Sequence, residues 1–97
     1  GCGPGHVGVR MDALADGGVR AGLPRSLASR LAAQTFAGAG KMAVETGLHP
    51  AQLRDQVTSP GGTTIAGIHA LETHCVRGAM YDAVMAVLAR SEKLKGK

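Results

Sequence analysis

A proline-glycine turn that leads directly into an apolar helix constrains this chain more than any other stretch of its sequence. The turn and the helix occupy residues 58–72, TSPGGTTIAGIHALE. Pro60 fixes its own φ and disfavours helical geometry at Ser59, and the two glycines that follow permit a sharp turn. Gly62 or Thr63 can then serve as the N-cap of the new helix. The result is a set of backbone N–H groups without helical partners, a geometry that suits a carboxylate or a phosphate.

The rest of the chain has the pattern of helices, because apolar residues recur with a period of 3.6 and no segment alternates with a period of two. Glycines and prolines mark the breaks between the helices. We therefore predict an all-α domain with about five helices. The first begins at Pro4 and stops at Gly22, and the others span residues 25–46, 50–57, 63–72 and 75–94.

The apolar faces of these helices lack large side chains. Phe36 and Tyr81 are the only aromatic residues, and alanine and glycine fill about a third of the chain. Small residues let helix backbones approach closely and leave apolar faces that a second chain can cover. We therefore predict an obligate homodimer and leave open its assembly into a higher oligomer. The predicted faces carry Val7, Met11, Leu14, Ala15 and Gly18 in the first helix, Leu27, Ala28, Leu31, Ala32, Thr35, Ala39 and Met42 in the second, and Val76, Met80, Ala83, Val84, Val87 and Leu88 in the last.

The charge of the chain does not predict a nucleic-acid partner. The formal charge is +4, but residues 1–92 hold eight basic and seven acidic side chains, and the excess comes from Lys93, Lys95 and Lys97. Cations at the end of a last helix suit the helix dipole and are typical of a solvated tail. The sequence has no basic stripe and no aromatic platform for bases, so we expect no nucleic-acid binding.

The cysteines and histidines predict neither a disulfide framework nor a metal site. Cys2 and Cys75 are the only cysteines, and none of the four histidines forms a pair with helical metal-ligand spacing. The chain also has no apolar run long enough to span a membrane and no signal peptide. We therefore expect an intracellular, cytoplasmic protein, and the sequence leaves a mitochondrial location open.

Residues 59–64, Ser59-Pro60-Gly61-Gly62-Thr63-Thr64, followed by Ile65, Leu71 and Glu72, closely resemble the signature of pyrroline-5-carboxylate reductase, which ends proline biosynthesis. The resemblance covers the chain from Gly1 to about Ser91. It implies that residues 1–97 form the intertwined, homodimeric C-terminal domain of that family, without the N-terminal dinucleotide-binding domain. Further matching segments are Gly3-Pro4, residues 12–18, Gly22-Leu23-Pro24, Gln34-Thr35, Lys41-Met42 and residues 49–53.

The resemblance also implies a function and a set of site residues. The complete enzyme is an oxidoreductase that reduces 1-pyrroline-5-carboxylate to L-proline with NAD(P)H. Thr64 is the implied catalytic residue, in contact with the substrate imine, and the main chain of Gly61, Gly62 and Thr63 holds the substrate carboxylate with Ser59 beside it. No cofactor-binding residue is expected in this chain, so we expect the chain alone to bind no cofactor and to form no proline.

Several alternatives remain open from the sequence. Thr64 can be an ordinary helix cap, and the chain can be a non-catalytic helical dimer, either isolated or engineered.

We expect Gly62 to need a positive φ, so that Gly62→Val damages both turnover and stability. His6, His74 and Cys75 depart from the family pattern, Cys75 in a turn that is usually richer in glycine. The sequence assigns them no role, and it leaves open the preference for NADH or NADPH.

Overall fold

Five α-helices make up the part of the chain that the computed structural model describes, residues 3–95, and no strand lies in that range. They are α1 (Gly3–Arg20), α2 (Arg25–Thr46), α3 (Pro50–Gln56), α4 (Thr63–Thr73) and α5 (Val76–Lys95). The prediction of an all-α domain with about five helices is confirmed, and the predicted boundaries agree with the observed ones within two residues. Across residues 3–95, no helix is both long enough and apolar enough to cross a membrane. The expectations for Cys2 and Lys97 lie outside the described residues.

The chain consists of two compact units, and the boundary between them lies inside α3. The first unit comprises Gly1–Leu53 and contains α1 and α2, and the second comprises Arg54–Lys97 and contains α4 and α5. The 59–64 loop, which carries every site residue predicted from the sequence, lies in the second unit.

The first unit is built on close packing between α1 and α2. Its buried residues are three alanines, Ala15, Ala28 and Ala32, and Val19 packs against them. Gly18 permits the close approach, because a Cβ at this position would lie only 3.2 Å from the Cβ of Ala28. Small side chains therefore set the distance between the two helix backbones, as the alanine- and glycine-rich composition predicts.

A tight turn joins α1 to α2. Gly22 has a φ of 113°, and the N–H of Leu23 donates to the carbonyl of Gly18 at 3.0 Å. This six-residue closure is the Schellman arrangement, which satisfies a carbonyl at the end of a helix. Arg25 and Asp16 form an ion pair across the turn at 2.7 Å, but both side chains are largely exposed, so the pair contributes less than about 1 kcal/mol.

The predicted apolar face of α2 is only partly buried within one chain. Ala28 and Ala32 are buried, whereas Leu31 and Met42 are exposed. The pattern correctly identified the apolar side of the helix, but α1 covers only part of it. Most of the rest of this face is exposed in a single chain.

The second unit buries even less, since neither α4 nor α5 has a buried residue. The apolar residues of α5 form two adjacent lines along the helix. Val76, Met80, Ala83 and Val87 form a half-buried line, and Tyr81, Val84 and Leu88 form an exposed line. The second line is an apolar surface that the described part of the chain leaves uncovered.

Cys75, at the junction of α4 and α5, adopts a conformation that favours glycine. Its φ is 58°, its N–H donates to the carbonyl of Glu72 at 3.1 Å, and its carbonyl accepts the N–H of Ala79 at 3.0 Å. These bonds end α4 and begin α5, so the residue cannot leave the left-handed region without disturbing both helices. A side chain with a Cβ in that region costs about 1–2 kcal/mol.

We expect Cys75→Gly to stabilise the folded protein by up to about 1 kcal/mol. Glycine removes the steric cost of the left-handed conformation, although its greater freedom in the unfolded chain offsets part of the gain. The measurement is the denaturant midpoint at one fixed protein concentration, with Cys75→Ala as the matched control that removes the thiol but keeps the Cβ. Equal midpoints for the glycine and alanine variants would show that Cys75 is not strained.

Candidate functional site

The 59–64 loop begins with a hydrogen-bonded turn. The carbonyl of Ser59 accepts the N–H of Gly62 at 3.1 Å, and Gly61 has a φ of 64°. With Pro60 at the second position and a positive φ at the third, this is the geometry of a type II turn. The expectation that Gly62 needs the positive φ is therefore wrong. The conformation is required one residue earlier, at Gly61, because the bond between Gly62 and Ser59 makes Gly61 the third residue of the turn, where a type II turn needs a positive φ.

Gly62 is constrained by space instead. Its φ is −80°, which any residue can adopt, and it is the N-cap of α4. A Cβ at this position would collide with the hydroxyl oxygen of Ser59 and lie 3.3 Å from the Ser59 carbonyl oxygen. The turn therefore brings Ser59 directly over Gly62.

We expect Gly62→Val to destabilise the protein by about 1–3 kcal/mol, because the new side chain must displace Ser59 from the turn. The Ser59→Ala/Gly62→Val double variant should recover part of this loss, since it removes the colliding hydroxyl. A double-mutant cycle of denaturant midpoints measures the coupling between the two positions. Strictly additive effects would contradict the collision as the cause.

The hydroxyl groups of Thr63 and Thr64 have no hydrogen-bond partner among residues 3–95. The other four threonines each donate a hydroxyl to the carbonyl four residues earlier. Thr63 and Thr64 lie in the first turn of α4, and no side chain caps this helix, because its N-cap is Gly62. The prediction that Gly62 or Thr63 caps α4 is confirmed for Gly62, and the alternative that Thr64 is an ordinary cap is wrong.

Backbone donors lie beside these hydroxyls. The first helical hydrogen bond of α4 runs from the N–H of Ala66 to the carbonyl of Gly62 at 3.4 Å, so the N–H groups of Thr63, Thr64 and Ile65 have no backbone partner within the described chain. The first turn of α4 has no acidic residue. The site thus combines the positive end of a helix dipole with exposed N–H and O–H donors, which suits a small anion such as a carboxylate.

The structure therefore brings all the predicted site residues together: Ser59, Gly61, Gly62, Thr63 and Thr64 are consecutive or nearly so, and all but Gly62 are exposed. In residues 3–95, no three side chains of histidine, cysteine, aspartate or glutamate group in a way that could hold a metal ion. The site available to a ligand is built from backbone amides and threonine hydroxyls.

Sequence reasoning missed Thr58, which precedes the loop. Its hydroxyl donates to the carbonyl of Arg54 at 2.5 Å, and this bond is partly buried. The available signal was a threonine placed between the end of a helix and a Ser-Pro turn, a position from which a hydroxyl can reach the last carbonyls of the helix.

Comparisons with known proteins match this chain to one family over nearly its whole length. The family model described as pyrroline-5-carboxylate reductase dimerisation matches residues 1–94. The pyrroline-5-carboxylate reductase of Pisum sativum is 56% identical over 94 residues, which are 97% of this chain and 34% of that protein. The chain thus spans about a third of the length of the curated relatives it matches.

Solved structures show the same correspondence. A pyrroline-5-carboxylate reductase from Coxiella burnetii has a TM-score of 0.93 and 39% identity, over 97% of this chain and 35% of that one. The Plasmodium falciparum pyrroline carboxylate reductase, solved with NADP bound, has a TM-score of 0.84 and 37% identity, over 89% of this chain and 35% of that one.

Proposed function

The chain belongs to the pyrroline-5-carboxylate reductase dimerisation family, and from this premise we propose that it is the homodimeric, substrate-contacting part of an enzyme that reduces 1-pyrroline-5-carboxylate to L-proline with NAD(P)H. The observation that carries the proposal is the family match over residues 1–94, which include the whole 59–64 loop. The unpaired donors of that loop support it, since the substrate is a small carboxylate with an imine nitrogen.

Each part of the loop has a distinct role in this proposal. The main chain of Gly61, Gly62 and Thr63 holds the substrate carboxylate, with Ser59 beside it. The N–H of Thr63 is free to donate, whereas that of Gly62 is already bonded to the carbonyl of Ser59. The hydroxyl of Thr64 donates to the imine nitrogen. An isolated threonine hydroxyl is a poor acid, so its contribution is the orientation of the imine and the stabilisation of charge as the nitrogen gains a proton. The unpaired hydroxyl of Thr64 supports this role.

The cofactor does not fit the described residues. A dinucleotide site needs a strand that leads into a glycine-rich loop, and residues 3–95 contain no strand. NAD(P)H would therefore be bound by another part of the enzyme, and the roles assigned to this chain concern the substrate alone. A free, exposed thiol at Cys75 is compatible with a reducing compartment such as the cytoplasm.

A second copy of the chain is the proposed partner. It would cover the exposed line of Tyr81, Val84 and Leu88 on α5. In a single chain this line is an apolar surface in contact with solvent. The family model that matches the chain is described by dimerisation, which supports this assignment.

A hybrid enzyme tests the function. Residues 1–94 replace the 94 matched residues of the Pisum sativum protein, and NADPH oxidation is followed as 1-pyrroline-5-carboxylate is added. We expect saturable turnover by the hybrid enzyme and none by the 97-residue chain alone. A hybrid that folds and dimerises like the Pisum sativum protein but shows no turnover would contradict the proposal and favour a non-catalytic helical dimer.

A further inference from the structure

Thr58 lies between the end of α3 and the 59–64 loop. Its hydroxyl donates to the carbonyl of Arg54 at 2.5 Å, and its N–H donates to the carbonyl of Asp55 at 3.2 Å. Both carbonyls belong to the last turn of α3, and that of Arg54 also accepts the N–H of Val57 at 3.2 Å. Thr58 therefore fixes the direction in which the chain leaves the helix.

The hydroxyl bond of Thr58 differs in its surroundings from the three similar bonds in the chain. Thr35, Thr46 and Thr73 also donate to the carbonyl four residues earlier, but their bonds are exposed, whereas that of Thr58 is partly buried. A partly buried bond competes less with water, so its loss disturbs the local structure more.

A short, hydrogen-bonded stretch of chain leads from Thr58 to the first turn of α4. Ser59 follows Thr58 directly and accepts the N–H of Gly62, and the carbonyl of Gly62 accepts the N–H of Ala66 in α4. Pro60 adds a fixed φ inside the turn. The chain between Thr58 and Thr63 is therefore short and held in one turn by a hydrogen bond.

We propose that Thr58 is a positioning residue for reduction at the 59–64 loop: its hydroxyl holds the loop against the end of α3, so that the amides and the Thr64 hydroxyl meet the substrate together. This inference rests on the proposed function, because it names a residue that supports the same site. Thr58 itself contacts no substrate in the proposal.

Kinetics in the hybrid enzyme provide the first test. Thr58→Val keeps the shape of the side chain and removes the hydroxyl, and we expect kcat/KM for 1-pyrroline-5-carboxylate to fall about tenfold, since small misplacements of reacting groups have effects of this order or larger. The KM for NADPH should stay within about twofold, because the cofactor is held elsewhere, and Thr58→Ser should restore activity. The matched control is Thr73→Val, which removes the same kind of bond at the end of α4. Equal losses in Thr58→Val and Thr73→Val, or no rescue by serine, would overturn the proposal.

Amide NMR of the 97-residue chain provides the second test and does not depend on activity. We expect Thr58→Val to shift the amide signals of Gly62, Thr63 and Thr64 and to speed their hydrogen exchange, and Thr73→Val to leave them unchanged. Unchanged loop signals in Thr58→Val would overturn the positioning role. An inactive wild-type hybrid combined with shifted loop signals would instead reject the proposed function and keep the structural role of Thr58.

Discussion

Replacement of Thr64 by alanine in the hybrid enzyme should lower kcat by about a hundredfold and leave stability almost unchanged. The hydroxyl of Thr64 makes no hydrogen bond within residues 3–95 and does not cap α4, whose N-cap is Gly62. Its removal therefore costs no hydrogen bond among residues 3–95, and alanine is the better helix former. Loss of one positioned donor to a reacting atom, by contrast, commonly costs a few kcal/mol of activation free energy.

Turnover and denaturant midpoint are measured side by side for Thr64→Ala and its neighbour Thr63→Ala. Thr63 has an equally unpaired hydroxyl in the same helical turn, but its proposed contact with the substrate is made by its N–H, which the substitution keeps. We therefore expect Thr63→Ala to lose much less activity. Wild-type turnover in Thr64→Ala together with a lowered midpoint would show that the threonine is structural and that the catalytic assignment is wrong.

Local chemistry made the helices and the site predictable from the sequence. The breaks between helices depend on residues such as Pro24, Gly47 and Pro50, whose effects on the backbone do not depend on distant contacts. The candidate site residues are nearly contiguous, so the prediction of the turn placed all of them in one segment. The observed N-cap at Gly62 agrees with this reasoning, because the choice of cap depends only on the turn and the first helical residues.

The wrong and missing predictions concern features that depend on which hydrogen bonds form in a turn or at the end of a helix. The positive φ lies at Gly61 rather than Gly62, because the N–H of Gly62 donates to the carbonyl of Ser59. This bond makes Gly61 the third residue of the turn. Thr58 was missed for a similar reason. Its role depends on α3 ending at Gln56, which brings the hydroxyl within reach of the carbonyl of Arg54. A sequence pattern locates a helix end within a residue or two, which is too coarse to assign such a bond.

Burial was the least predictable property, because a helical pattern identifies an apolar side but not the element that covers it. On α5 the half-buried line through Met80 and Ala83 and the exposed line through Val84 and Leu88 have the same apolar character. Nothing in their composition separates the line that the chain covers itself from the line that it leaves exposed. That separation is visible only in the folded chain, and it indicates where a second copy would bind.

The exposed line on α5 leads to the second large expected effect: Val84→Asp should weaken the homodimer at least a hundredfold in Kd. Val84 is 51% exposed and Leu88 is 50% exposed in the single chain, although both are apolar. A carboxylate buried at this position without a partner costs several kcal/mol, and in a two-fold interface each substitution is present twice. Every 1.4 kcal/mol corresponds to a tenfold change in Kd.

Sedimentation equilibrium and thermal unfolding of the 97-residue chain, each over a range of concentrations, measure this effect. The matched control is Ala86→Asp, which places the same charge at an exposed position on the opposite side of α5. We expect the wild-type chain and Ala86→Asp to sediment as dimers with concentration-dependent melting, and Val84→Asp to dissociate and lose helical signal, because α4 and α5 bury no residue of their own. A folded wild-type monomer, or equal weakening by the two substitutions, would exclude the Tyr81, Val84 and Leu88 line as the dimer interface.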